Sequence, residues 1–414
     1  AAELESLQAD TPPDPPALVR ATIEEELHQP PDAIFESFNQ LALASASVGQ
    51  VHLARLKSGA EVVVKVQHAG IETKVKSDLN LLNTLAQAAE GSSREIAQYR
   101  PSATVAEFQR SLLRELDFRI ELSNLLQFAR NFADDPRVHF PIAYPEYSSK
   151  RVLTMERLEG YSIAKRERMI ADGVDPKAFA RLFASTMLSM VFRDGFYHAD
   201  PHPGNIFVLP SGRLGMLDCG KVGRVDERTQ DDFIGIVTAF LSGDVDALTD
   251  ELVQLCEVPL DFDRSAYRAD VADFIGEFSD VSGGLDLAPA FNAMFAIIRK
   301  HRLVVPPRVN MLLLVIVQID GTARYLDPDF DLNGALQGVG LNLLQRRYSP
   351  KRLGREGVRS IREWLRLADA LPRESLQLLE RTRRGDLRLV IDQPALTGPL
   401  NRLTYGIVVA ALLL

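Results

Sequence analysis

Residues 61–67 read Glu-Val-Val-Val-Lys-Val-Gln, a β-branched run with one lysine set among apolar neighbours, and such a run forms a strand. The wider stretch 39–67 reads as strands divided by a small-residue turn near 44–48 and a second turn at Lys57-Ser58-Gly59. A Pro-rich lead (Pro12, Pro13, Pro15, Pro16) and a short helix over 18–28 come first. Helical periodicity fills about 70–90 and 104–132, a loop covers 141–145, and the run RVLTME at 151–156 is a short strand entering a hinge at Leu158-Glu159-Gly160. A helix over 176–193 precedes a hairpin, 206–209 with 213–217, across Pro210-Ser211-Gly212. Helices dominate from Asp231 onward.

Composition fits a large folded protein: 414 residues, 46% hydrophobic and 25% charged, with no disordered bias. Two cysteines, Cys219 and Cys256, make no disulfide framework and have no metal-ligand spacing, so a reducing compartment is the simpler expectation. The net charge of −9 is uneven, because 341–390 is rich in arginine. Arg346, Arg347, Arg352, Arg355, Arg359 and Arg362 recur among Leu, Val and Trp364 at helical intervals, as in a basic amphipathic helix on an anionic membrane surface or a solvated outer helix. The apolar end LTYGIVVAALLL (403–414) is shorter than the roughly 20 residues of a bilayer span. It reads either as a buried terminal element or, as expected here, as the start of a truncated transmembrane helix preceded by cytoplasmic-side basic residues. No nucleic-acid partner is expected.

The chemistry concentrates in two short runs, His198-Ala199-Asp200-Pro201-His202-Pro203-Gly204-Asn205 and Leu217-Asp218-Cys219-Gly220. An Asp, an Asn five residues on and a later Asp follow the order in which phosphoryl-transfer enzymes hold Mg-ATP, as in the HRD-x-x-x-x-N and DFG elements of protein kinases. Mg²⁺ shares its oxygen ligands between one or two side chains and the nucleotide phosphates, which suits Asn205 and Asp218. Lys65 stands where a kinase strand carries its phosphate lysine, and such a lysine needs a carboxylate to fix it. The 104–132 helix offers Glu115, Asp117 and Glu121; at about 100° per residue, Asp117 and Glu121 share a face that Glu115 does not. Before the lysine strand, Ala44-Ser45-Ala46-Ser47-Val48 occupies the place of a glycine-rich phosphate loop, with Ala and Ser where glycine would let backbone amides close on phosphate.

The Ala-rich loop, the Val-Lys-Val-Gln strand followed by Ala69-Gly70-Ile71, the run Glu115-Leu116-Asp117 with Glu121 and Asn124, the loop 198–205 and Asp218-Cys219-Gly220 together resemble the UbiB/AarF family of atypical protein-kinase-like proteins, over roughly residues 1–340. The resemblance implies an α+β, two-lobed protein-kinase-like fold with a helix-rich C-lobe and a helical, basic C-terminal appendage. It divides the chain into an N-lobe (1–155), a C-lobe (156–340), a basic amphipathic segment (341–400) and the start of a transmembrane helix (401–414). ATP and Mg²⁺ are the implied cofactors. Lys65 is then the phosphate lysine, Glu121 its partner, Asp200 the catalytic-loop aspartate, and Asn205 and Asp218 the metal ligands. The loop residues 44–48 and Glu156 line the nucleotide site, and Glu115 and Asp117 are regulatory. The implied partners are a membrane lipid or quinone precursor, an anionic membrane surface and biosynthetic proteins.

Three departures stand out. Ser45 sits inside a loop that the family writes Ala-Ala-Ala-Ser, and the family's upstream Lys-x-Gly-Gln signature is absent, so the chain reads as a fragment. Glu115, which would answer that lysine, is therefore expected to lack a partner. The segment after Asp218 reaches a helix almost at once, with no hydroxyl residue before Thr229 and no Ala-Pro-Glu element, so ordinary peptide phosphorylation is not expected. Three functions follow: ATP hydrolysis coupled to handling a membrane isoprenoid, phosphorylation of a small metabolite as in aminoglycoside and choline kinases, and a nucleotide-binding pseudokinase scaffold.

Overall fold

A computed structural model describes residues 12–92, 101–278, 287–332 and 334–335. The chain divides into a unit over 1–343, which holds all of these, and a second over 344–414. The basic segment and the apolar end lie outside the described residues.

The first lobe is built on a four-stranded antiparallel sheet, β1 (Phe35–Ser45), β2 (Gly49–Leu56), β3 (Glu61–Gln67) and β5 (Val152–Glu156), in that spatial order. Alternation along β3 decides what each face does. Val62, Val64 and Val66 are completely buried and form a small core with Val19 and Ile23 of α1 (Pro16–Leu27). Each such side chain contributes about 1.5–3 kcal/mol relative to exposure. Lys65, on the opposite face, sits in register with Val51 and Leu153 and points into the space beneath the sheet. Gly49 opens β2 so close to β3 that a Cβ there would stand 2.5 Å from the Val66 carbonyl oxygen, so any side chain would push the β1–β2 turn off the sheet. The β2–β3 turn closes through Gly59, whose φ of 86° is the left-handed conformation glycine adopts without cost.

Periodicity over 104–132 predicts one helix, but the structure has two, α4 (Pro101–Glu115) and α5 (Phe118–Asn131), following the short α2 (Pro31–Ile34) and α3 (Ile71–Ser92). The backbone between them is claimed by tertiary partners: Gln67 Nε2 donates to the Leu116 carbonyl, and Phe118 N donates to Lys150 O at 2.9 Å. Leu116 and Phe118 are buried there, and Asp117 N-caps α5 by accepting from Arg119 N at 3.1 Å. Asp117 therefore belongs to the break, not to a helical face shared with Glu121.

The second lobe packs a hairpin, β8 (Ile206–Leu209) and β9 (Arg213–Met216), between the two-residue strands β4 (Val138–His139) and β6 (Tyr161–Ser162). Helix α6 is Arg166–Ala171, and α7 (Pro176–Ser189) buries Phe179, Phe183, Met187 and Leu188. It runs on through a π turn at Met190–Asp194 that ends at Gly195. Strands β7 (Phe196–His198) and β10 (Val222–Arg224) pair antiparallel and clasp the loops between them. Five helices complete the lobe: α8 (Glu227–Leu241), α9 (Val245–Leu255), α10 (Arg264–Phe278), α11 (Leu287–Lys300) and α12 (Pro307–Leu326). The α8 start at 227 follows from Asp226, which caps it through Thr229 N at 2.8 Å. Within α12, Val309–Leu326 is the one helical stretch among the described residues long and apolar enough to cross a bilayer. Half of it is buried inside the lobe, and Thr322 Oγ1 donates to Pro201 O at 3.1 Å, tying α12 to the catalytic loop.

Candidate active site

A cleft of about 450 Å³ lies between the sheet of the first lobe and the loops of the second. The small-residue turn roofs it, α5 forms its back wall, and Asp200 and Asp218 form its floor. Lys65 Nζ donates to Glu121 Oε2 at 2.8 Å, with the lysine side chain 23% exposed and the glutamate nearly buried. The Phe118 ring lies 5.0 Å from the same ammonium. Burial works against the charged lysine, but Glu121, Asp218 and Glu115 outweigh it and hold Lys65 above its ordinary range. Burial, and then Asp218, raises the Glu121 carboxyl against the pull of Lys65. For Asp218, burial raises the carboxyl, yet Lys65 and the Gly220 amide together bring it below the usual carboxylate range, so it is ionised at neutral pH.

Hydrogen bonds from one histidine set the floor. His198 is fully buried, with Nε2 3.1 Å from Leu217 O and Nδ1 accepting from Asp200 N at 3.2 Å. That pattern fixes the neutral ring with its proton on Nε2, and burial lowers the histidine accordingly. One side chain thus links the residue before Asp218 to Asp200. Asn205, also buried, donates from Nδ2 to Asp200 O at 3.2 Å, which leaves Oδ1 as the atom available to a cation. Asn124 on α5 donates from Nδ2 to Cys219 O at 2.8 Å, so the helix that carries Glu121 also holds the Asp218 turn. Asp218 itself has a φ of 49°, a left-handed conformation uncommon outside glycine, supported by Gly220 N donating to its Oδ1 at 3.3 Å.

The roof is stapled shut. Ala46 N donates to Gly49 O at 2.9 Å, and the Ala46 carbonyl is bonded by His68 Nε2 at 2.9 Å, so both backbone groups of Ala46 are committed within the protein. Two buried oxygens of residues that line the cleft, Ser45 Oγ in this turn and Glu121 Oε1, have no hydrogen-bond partner within the protein.

Of the residues singled out in the sequence, Ala44, Ser45, Ala46, Ser47, Val48, Lys65, Glu115, Asp117, Glu121, Asp200 and Asp218 all line this cleft. Asn205 is not among the residues that line it and is joined to it through the Asp200 carbonyl. Glu156 does not line the cleft: at the end of β5 its Oε2 is engaged by His139 Nε2 at 2.8 Å and Ile142 N at 3.0 Å. Glu115 is not left without a partner, because Lys221 Nζ stands 3.6 Å from its Oε1 and 3.6 Å from Asp200 Oδ2. Sequence reasoning missed Lys221 and the bridging role of His198. The signal for the first was its place directly after Asp218-Cys219-Gly220.

Comparison with known proteins places this cleft in context. Residues 6–252 match the ABC1 atypical kinase-like domain, and residues 282–331 match the UbiB helical domain. A Pseudomonas paraeruginosa protein described as a probable protein kinase UbiB is 33% identical over 91% of this chain and 72% of its own length. A Pseudomonas putida protein of the same description is 33% identical over 93% of this chain and 74% of its own length. Among solved structures, that of Rv3197 with erythromycin from Mycobacterium tuberculosis aligns with a TM-score of 0.59 and 23% identity, covering 76% of this chain and 80% of that one, which supports the kinase-like fold. With its Lys65–Glu121 pair, paired floor loops and helical second lobe, this chain belongs to the ABC1/UbiB family of atypical kinase-like proteins.

Proposed function

We propose that the protein is a Mg²⁺-dependent ATPase or atypical kinase of the UbiB type that works at a membrane on a quinone precursor or another isoprenoid lipid. The observation that carries the enzymatic part is the Lys65–Glu121 pair, formed at 2.8 Å in the same cleft as Asp200 and an ionised Asp218. A nucleotide-binding pseudokinase scaffold would keep Lys65, Glu121 and Asp218 too, so it is Asp200 in the same cleft that favours turnover. The membrane and lipid part rests on the name of the relatives and on the arginine-rich stretch of the sequence.

The donor set fits the cofactors. Asp218 and Asn205 would hold Mg²⁺ through a carboxylate and an amide oxygen, hard donors that suit this cation. The metal supplies charge neutralisation at the phosphates. Lys65, fixed by Glu121, takes the non-reacting phosphates. Asp200 orients the attacking hydroxyl or water and accepts its proton. The nucleophile's oxygen bonds to the terminal phosphorus, the bridging P–O bond breaks, and its electron pair leaves on ADP. Ala46, with both backbone groups already committed within the protein, offers no free amide to phosphate. From Asp218 only eight residues, three of them in β10, lead to α8, leaving little platform for a peptide acceptor.

Turnover of Mg-ATP by the purified protein, with and without anionic vesicles and quinone-like phenols, tests the reading. Stimulation by vesicles and phenol together is the expected result. Turnover that is instead stimulated by a water-soluble alcohol or amine, with stoichiometric phosphorylation of it, would replace the lipid reading with a small-molecule kinase.

A further inference from the structure

The cleft holds two lysines in different states. Lys65 is pinned: its Nζ donates at 2.8 Å and its side chain is 23% exposed. Lys221 is parked: its Nζ is 3.6 Å from each of two carboxylates, beyond good hydrogen-bond distance, and its side chain is 58% exposed. Its backbone is not loose at all. Ala199 N donates to Lys221 O at 3.0 Å, and Val222, the next residue, pairs with His198 in the β7–β10 ladder. The Cα of Lys221 is therefore held next to the catalytic loop, while a flexible four-carbon stem carries a compact charge with three donors over Asp200.

From this placement we infer that Lys221 is a catalytic residue that binds the terminal phosphate of the nucleotide and neutralises the charge on the phosphoryl group as it is transferred. The inference rests on the phosphoryl-transfer reading above. Lys65, held by Glu121 at the back wall, is already assigned to the non-reacting phosphates. Among the described residues, Lys221 is the cation whose ammonium lies within ion-pair distance of Asp200, the residue that faces the attacking group. Glu115 on the other side keeps the ammonium over the cleft until phosphate, a stronger and multidentate acceptor, displaces it. No proton leaves Lys221 in the reaction. The nucleophile's proton passes to Asp200, the bridging electron pair passes to ADP, and Lys221 only donates hydrogen bonds to the oxygens of the moving group.

An exposed ion pair of this geometry adds little to folding. Removing the ammonium should then leave the apo protein intact while separating ATP from ADP, which lacks the terminal phosphate. The test is calorimetric titration of the full chain with Mg-ADP and with a Mg-ATP analogue whose β–γ bridge resists hydrolysis, for wild type, Lys221→Met and Lys221→Arg. Lys221→Met should lose about tenfold or more in affinity for the ATP analogue, the size of one charge-assisted hydrogen bond, with Mg-ADP changed less than about twofold. Lys221→Arg should recover most of the loss. Equal weakening of both nucleotides, no weakening of either, or a lowered melting temperature of the apo Met variant would each overturn the assignment. Wild type that binds neither nucleotide would sink the phosphoryl-transfer reading itself, whereas normal wild-type binding with an indifferent Met variant removes only Lys221.

Discussion

Asp218 combines a left-handed backbone with an ionised carboxylate that faces the cleft, so its backbone and its charge can be separated by one substitution. Asn tolerates positive φ better than most residues, and Asp218→Asn keeps the shape while removing the charge. We expect the apo melting temperature to stay close to wild type and the stabilisation by Mg-ATP, about 2.7 kcal/mol at a hundredfold excess over Kd, to vanish. A full thermal shift in the variant would take Asp218 out of the metal site. His198 gives a pH-dependent counterpart. Burial lowers its folded-state pKa, so between the unfolded value near 6.5 and that lower folded value the unfolded chain binds the extra proton. The stability His198 contributes is present above about pH 6.5 and is lost as pH falls through its folded pKa. Thermal denaturation at pH 7 and pH 5 should therefore show a smaller acid-induced drop for His198→Gln than for wild type. Equal drops would mean the ring is not held neutral between Leu217 and Asp200.

Helix α5 is the element that joins the two halves of the site, through Glu121 to Lys65 and through Asn124 to Cys219. Removing one member of a buried pair leaves the other uncompensated, whereas removing both does not. Glu121→Leu or Lys65→Met alone should cost about 3 kcal/mol of stability, and the double variant should cost less than the sum of the two, a coupling that urea denaturation of all four proteins would measure. Strict additivity would show that the pair is not formed in solution. Truncating the cap, Asp117→Ala, should cost about 1 kcal/mol and also fray the first turn, which carries Glu121. The parts of this site legible in sequence were those with local grammar. The β-branched strand around Lys65 and the fixed Asp200-to-Asn205 interval need no knowledge of the rest of the chain. Asp117 was legible as an acid but not as a cap, because the helix breaks where Gln67 and Lys150 take the backbone of Leu116 and Phe118. Lys221 stands directly after Asp218-Cys219-Gly220, but its role was not legible, since its partners Glu115 and Asp200 lie in other segments that only folding brings to it. Glu156 has the right position at the end of β5, but His139, on another strand, holds its carboxylate.

The charge of the whole chain, −9, conceals an arginine-rich stretch over 341–390, so the rest of the molecule is more acidic than the total implies. An anionic surface repels that acidic remainder and attracts the basic stretch, and any binding to such a surface must then come from one part of the chain. Each Lys or Arg near an anionic leaflet contributes about 1 kcal/mol, and at physiological salt the attraction is screened beyond about 8 Å. Wild type should co-sediment with anionic vesicles more than with neutral ones, and raising the salt should narrow the gap. Replacing Arg352, Arg355, Arg359 and Arg362 with Gln should remove most of that preference while leaving Mg-ATP binding unchanged, because Lys65, Asp200 and Asp218 are built from residues far upstream. If the apolar end at 403–414 anchors the protein by itself, the Gln variant will bind both vesicle types equally and independently of salt. If neither vesicle type is bound by wild type, the membrane part of the proposed function fails, and the cleft must take its acceptor from solution.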